Sequence, residues 1–250
     1  MPPVHPKTFP DMLTDMQANE ITTITRTTSP WQQIEIRHHP QFGKQLVIDG
    51  DLQVSESDRS YNVAMVSPLI MLGSFGRVTI LGGGDGGVLH ELLDIDQTQG
   101  RDLEQAVMID IDAEVTRLSR KYLPGLCGDA FDHPKAKVII GDVFDYIETQ
   151  ENLDGVIYDL TIDPVREGQT RREFLHELMQ KVAGSLKPGG MLNMQCCGTK
   201  PFDPETGVSR QEIMSDIESA LTGDFHQFLE QRVFIPSYGE AWTFLASRRK

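Results

Sequence analysis

Positive charge is what this chain has least of. Its 250 residues carry 23 Lys and Arg against 37 Asp and Glu, a formal net charge of −14, without a long basic run. Phosphate neutralisation needs lysines and arginines gathered on one face, so nucleic acid is excluded as a partner, and a charged partner should be a cation. The same acidity also serves plain solubility, and both readings stay open. Cysteine is scarce too. Cys127, Cys196 and Cys197 are odd in number, lack C-x-x-C spacing and include an adjacent pair too cramped for an ordinary disulfide. They read as reduced thiols in a cytoplasmic setting. The residues Met1 to Pro6 lack a basic start leading into an apolar stretch, and no apolar run reaches membrane-spanning length, so neither export nor anchoring is expected. His38 and His39 are adjacent and not at helical ligand spacing, and no metal site is expected.

A hydrophobic content of 39% and a charged content of 24% are those of a globular chain, and the length suits one large domain with a small appendage. Residues 1 to 19 are weakly patterned and read as an arm. Ile21 to Thr28, Trp31 to Arg37 and Lys44 to Ile48 are β-prone, and Asp49-Gly50 before Leu52 to Val54 signals a hairpin turn. These segments predict a small antiparallel sheet, so that residues 1–60 form an arm and a β-sheet domain. Tyr61 to Leu72 predicts an apolar helix that Pro68 bends or interrupts.

From residue 77 strand and helix alternate. The apolar strands are Arg77 to Leu81, Ala106 to Ile109, Lys137 to Ile140, Gly155 to Tyr158 and Met191 to Gln195. Helices are expected near Val88 to Leu93, Ala113 to Tyr122, Phe144 to Thr149 and Arg171 to Leu186, with Lys187 to Gly190 as the stop after the longest. Gln231 to Ile235 and Trp242 to Ala246 should close the sheet as an antiparallel pair. The fold class is therefore α/β, a Rossmann-like, mostly parallel sheet over residues 61–250 with the small N-terminal antiparallel domain before it.

Gly82, Gly84 and Gly87 fit G-x-G-x-x-G between a strand and a helix, which lets a nucleotide approach the backbone and the free N–H groups of the helix start. Asp110 ends the next strand about 20 residues on, as a ribose-binding acid does. Asp85 lies inside the loop, where it would repel a pyrophosphate or the carboxylate of S-adenosylmethionine but suit a cationic aminopropyl group. Asp142 could accept from an adenine amino group, although Gly-Asp at a strand end is also an ordinary helix cap. Asp159 ends the strand Gly155 to Tyr158, so two carboxylates should face one cleft that attracts amines.

These residues resemble the polyamine aminopropyltransferases, the spermidine and spermine synthases. The resemblance runs from about Glu20 to Arg248. It rests on Leu46 to Gln53 with Glu56-Ser57-Asp58 and Tyr61, the Gly82 to Gly87 loop, Ile109 to Asp112, and Tyr158 to Thr161. Pro164, Glu173-Phe174-Leu175 and Pro236 to Trp242 look more like the spermine type. The resemblance implies decarboxylated S-adenosylmethionine as co-substrate, no prosthetic group, and a polyamine acceptor, spermidine with putrescine as the runner-up. It implies Asp110 on the ribose, Asp142 at the adenine, Gln53 and Asp85 near the aminopropyl end, Tyr61 and Tyr238 beside the reacting amine, Asp159 as its base, and Glu240 on a distal ammonium. A homodimer is expected, without the long N-terminal region of eukaryotic spermine synthases.

Departures from the family are visible too. Asp110 stands where Glu is usual, Asn62-Val63 replaces acidic or amide residues, and Asp163 follows Asp159 by four residues instead of three. A methyltransferase in which Asp85 only caps a helix, and a polyamine- or nucleoside-sensing protein without turnover, are the other readings of the same scaffold.

Overall fold

The computed structural model describes residues 20–250 except 72, 74, 163, 165, 167, 204 and 205, and only the backbone of 227 and 228. The N-terminal arm and Asp163 lie outside the described residues. Strands β1 (Thr22–Thr28), β2 (Gln33–His39), β3 (Gly43–Ile48) and β4 (Asp51–Ser55) form an antiparallel sheet in chain order. Asp49 and Gly50 both have positive φ, 51° and 96°, the backbone that the two-residue hairpin between β3 and β4 demands.

The remaining elements run α1 (Arg59–Met71), β5 (Arg77–Gly82), α2 (Gly87–Gln99), β6 (Gln105–Asp110), α3 (Ala113–Tyr122), α4 (Pro124–Cys127), β7 (Ala136–Ile140), α5 (Val143–Ile147) and β8 (Leu153–Asp159). They continue as α6 (Arg171–Ser185), β9 (Leu186–Gly198), α7 (Arg210–Leu221), β10 (Phe225–Ile235) and β11 (Glu240–Arg249). The large sheet has the order β10-β11-β9-β8-β5-β6-β7, with β7 through β9 parallel and β11 and β10 antiparallel. Leu178 and Val182 of α6 with Ile213 and Ile217 of α7 cover one face. Met65 and Leu69 of α1 with Leu89 and Leu92 of α2 cover the other. Ile34, Ile36, Leu46 and Val54 of the small sheet pack on Val115 and Leu118 of α3.

Several elements differ from the sequence reading: the short helix α4 was not expected, and β10 begins at Phe225, six residues before the expected Gln231. Helix α7 was not expected, although Ser209 caps its first turn and Ile213, Met214, Ile217, Ala220 and Leu221 repeat at helical spacing. Four charged residues among them dilute the apolar stripe. Strand β9 begins at Leu186, before the expected stop: Gly189 takes φ 75°, and a register shift opposite Leu153 and Gly155 absorbs Pro188.

Pro68 stays inside α1, which runs on to Met71. A proline has no N–H, so the carbonyl of Ala64, one turn earlier, loses its helical donor. Asn193 of β9, fully buried, replaces it: its Nδ2 donates to the Ala64 carbonyl at 3.0 Å and to the Met65 carbonyl at 2.7 Å. Its Oδ1 has no hydrogen-bond partner among the described residues, so the position uses the amide as a donor. The helix that carries Tyr61 is thereby fastened to the sheet. Asn193→Leu, which keeps the volume and removes the donor, should lower stability by about 1–3 kcal/mol. Urea denaturation measures this, and an unchanged midpoint would show that the Ala64 carbonyl needs no partner.

Candidate active site

Strand β5 is flanked by β6 on one side and β8 on the other, so the strand order reverses beside it, and the crevice at the carboxyl ends of these strands is where open α/β sheets bind ligands. The parallel register sets Gly82 directly against Asp159. Space forces glycine in the loop that follows. A Cβ at Gly82 would fall 2.2 Å from the Asp159 carbonyl oxygen, and one at Gly84 would fall 2.5 Å from Asp110 Oδ2. Gly84 N–H donates to Asp110 Oδ2 at 2.9 Å and Asp112 N–H to Oδ1 at 2.8 Å, so Asp110 is fixed against the loop.

Tyr61 Oη donates to Asp159 Oδ1 at 2.6 Å. Asp85 Oδ1 accepts from Gly87 N–H at 2.8 Å, at the start of α2. Among the described residues, none of Asp85, Asp110 and Asp159 takes part in a salt bridge. Burial pushes Asp159 up to about 7; the Asp85 and Asp110 charges add to this, and the Tyr61 hydroxyl opposes it. Burial raises Asp110 to about 6 against two backbone donors, and raises Asp85 as well. Burial and the Asp159 charge hold Tyr61 well above an ordinary phenol, so it remains a donor. The result is a group of three carboxyls raised above their ordinary range that, among the described residues, pairs with no protein cation and can take a proton or a positively charged ligand.

The other expected residues are placed less uniformly. Tyr238 presents its ring to Tyr61 at 6.4 Å and to Trp242 at 5.0 Å, and its hydroxyl donates to the Gln53 carbonyl. The Gln53 side chain donates to the Asp51 carbonyl at 3.2 Å. Asp142 accepts from Phe144 N–H at 2.7 Å and caps α5. Glu240 is buried, with Oε2 accepting from Thr199 N–H at 3.0 Å and Lys200 N–H at 3.2 Å, and Oε1 paired with Lys200 Nζ at 3.1 Å. Its carboxylate is thus engaged with the turn after β9 and not with the Asp159 group.

Three positioning residues went unassigned in the sequence. Asp58, fully buried, accepts from Ser55 N–H at 2.8 Å, from Ser237 N–H at 3.1 Å and from the Ser237 hydroxyl, tying the start of α1 to the turn that bears Tyr238. Asp112 caps α3 and accepts from Ser29 Oγ at 2.6 Å and Gln32 Nε2 at 2.9 Å, docking the small sheet. Gln195 donates to the Leu160 carbonyl and accepts from Trp242 Nε1 at 2.9 Å. Asp58 and Asp112 lie inside the motifs quoted above, which was the available signal. Gln195 offered none.

Residues 62–250 match the model of the spermine/spermidine synthase domain. The chain belongs to the spermine/spermidine synthase family. It is a polyamine aminopropyltransferase, of a family whose co-substrate is decarboxylated S-adenosylmethionine. Residues 23–56 match the spermidine synthase tetramerisation domain. Polyamine aminopropyltransferases of Aeropyrum pernix and Hyperthermus butylicus are 33% and 36% identical over 223 and 216 residues, covering 88% and 84% of this chain and 67% and 69% of theirs. That of a Synechococcus strain is 33% identical over 233 residues, 90% of this chain and 70% of its own. The spermidine synthase of Thermotoga maritima has the same fold, with a TM-score of 0.72, 23% identity, and coverage of 92% of this chain and 73% of that one. A spermidine synthase solved with the transition state analogue AdoDATO gives 0.75, 23%, 92% and 74%. No helix among the described residues is long and apolar enough to cross a membrane.

A carboxyl whose folded value lies above its unfolded value of about 3.9 leaves the folded state holding the extra proton, so stability falls as pH rises through the window between the two. For Asp159 that window runs from the unfolded value to about 7. Asp159→Asn should therefore raise the melting temperature of the ligand-free enzyme by a few degrees at pH 8 and by much less at pH 4. Equal effects at both pH values would contradict the raised carboxyl.

Proposed function

We propose that the enzyme moves the aminopropyl group of decarboxylated S-adenosylmethionine to spermidine, giving spermine and methylthioadenosine. The observation that carries the chemistry is the Asp159–Tyr61 pair, whose carboxyl meets no salt-bridging cation among the described residues. In this reading the loop from Gly82 to Gly87 and Asp110 hold the nucleoside, Asp142 turns its remaining acceptor capacity to the adenine, and Gln53 and Asp85 face the aminopropyl arm. Asp85 disfavours a donor that still carries a carboxylate, which argues against S-adenosylmethionine itself. Tyr61 and Tyr238 flank the acceptor, and Glu240 meets a remote ammonium.

A primary amine is protonated near neutrality and has no free electron pair until the proton leaves. Asp159 takes that proton, a contribution of roughly 10²–10⁴-fold, and the Tyr61 hydroxyl steadies the carboxylate. The nitrogen then attacks the methylene carbon next to the sulfonium. The carbon–sulfur bond breaks, its electron pair neutralises sulfur, and methylthioadenosine departs. Alignment of nitrogen, carbon and sulfur supplies the remaining acceleration.

A diamine such as putrescine is the second reading, and the pairing of Glu240 with Lys200 favours it, because that pair leaves the remote site filled by a protein cation. The match of residues 23–56 to a tetramerisation model supports a homo-oligomer, of which the expected dimer is the smallest form. Turnover with decarboxylated S-adenosylmethionine and a panel of di- and triamines, products separated by chromatography, tests the acceptor: spermine from spermidine is expected, and product from putrescine alone would overturn it. In the same assay Asp159→Asn should lose about 10²–10⁴-fold in kcat while binding methylthioadenosine within twofold of wild type. An active variant would refute the base.

A further inference from the structure

Glu240 is a buried carboxylate held by the backbone on one oxygen and by an exposed side chain on the other. Thr199 and Lys200 N–H groups fix Oε2, whereas Oε1 meets the Lys200 ammonium at 3.1 Å. The Glu240 side chain is 8% exposed and the lysine's is 53% exposed. The two partners are therefore unequal. An exposed lysine gains little from one ion pair and regains rotamer freedom on release, while a buried carboxylate left without a cation is strongly penalised. Such a site exchanges one ammonium for another readily and does not stay empty.

The fold sets this pair beside the cleft. Asp159 ends β8, Gly198 ends β9 and Glu240 begins β11, three neighbouring strands whose ends share one edge of the sheet. Two strand spacings of about 4.8 Å and an offset of about four residues at ~3.3 Å along β11, from the level of Asp159 to Glu240, put the two backbones roughly 16 Å apart, a span that the two side chains shorten. A four-carbon diamine falls short of that span, and a triamine approaches it. From Tyr61, which touches Asp159, the rings of Tyr238 and Trp242 follow at 6.4 and 5.0 Å and end two residues from Glu240, and aromatic faces of this kind suit the methylenes between the charges.

We propose that Lys200 is a specificity-determining residue, an internal ammonium that occupies Glu240 until the remote ammonium of a longer acceptor displaces it. This rests on the placing of Glu240 in the acceptor cleft. A short diamine leaves the Lys200–Glu240 pair intact, whereas a triamine must break it, so the strength of the pair sets the preference between them.

Lys200→Met keeps the methylene stem and removes the ammonium. Wild type and variant are assayed with decarboxylated S-adenosylmethionine and either spermidine or putrescine, alongside Lys200→Arg, which keeps the charge, and Lys200→Gln, which guards against a misfolded turn. The ratio of kcat/KM for spermidine over putrescine should rise about tenfold in Lys200→Met and Lys200→Gln, mainly through the spermidine KM, and stay near wild type in Lys200→Arg. Adding Glu240→Gln to Lys200→Met should erase the gain. An unchanged ratio in both uncharged variants overturns the proposal while leaving a spermidine-using wild type in place. A wild type confined to putrescine whose uncharged variants accept spermidine supports the Lys200 exchange and removes the spermine assignment. Spermidine refused by every variant overturns both.

Discussion

Like charges brought together without a counter-ion are the constraint on which the rest of this structure depends. Asp85, Asp110 and Asp159 converge where the strand order reverses, and no lysine or arginine among the described residues pairs with any of them. Such a cluster is unfavourable in an empty protein. In the proposed reading it becomes favourable when a sulfonium and an ammonium enter, so that part of the binding energy for the cationic substrates is stored in the scaffold. The glycine loop is part of the same arrangement, since the close approach of the Asp159 carbonyl and the Asp110 carboxylate leaves no room for a Cβ at Gly82 or Gly84.

The scaffold fixes these charges with hydrogen bonds in place of cations. Two backbone amides hold Asp110, and the Tyr61 hydroxyl holds Asp159. Tyr61 is positioned in turn by a helix whose entry is tied down by Asp58 and whose proline break is repaired by Asn193. These groups are buried or half-buried and polar, and their hydrogen bonds fix geometry as well as adding stability. The stability given up at the cleft belongs to the same trade between function and folding that places strained or charged groups at active sites.

Much of this was legible in the chain. The glycines, the acids at strand ends and the Asp49-Gly50 turn are local signals, and their physical reasons act within a few residues. The strands were read within three residues of their true bounds, except that β9 and β10 begin five and six residues earlier than expected. What escaped depends on pairing across long separations. The engagement of Glu240 by Lys200 joins residues 40 apart through the β9–β11 register, and Asp58 meets Ser237 only because the last hairpin folds back over α1. Asp142 shows the limit of a local signal: a helix cap and an adenine acceptor ask for the same residue at the same place. Helix α7 was a failure of counting, since its apolar spacing was present but diluted by charge.

Burial and the neighbouring Asp85 charge set the protonation of Asp159. Site-resolved titration of its carboxyl carbon by NMR, in the ligand-free enzyme and in Asp85→Asn, tests this most directly. A midpoint near 7 is expected in the wild type and a lower one once the Asp85 charge is removed. A wild-type midpoint near the ordinary carboxylate value of about 4, unchanged by the substitution, would contradict it.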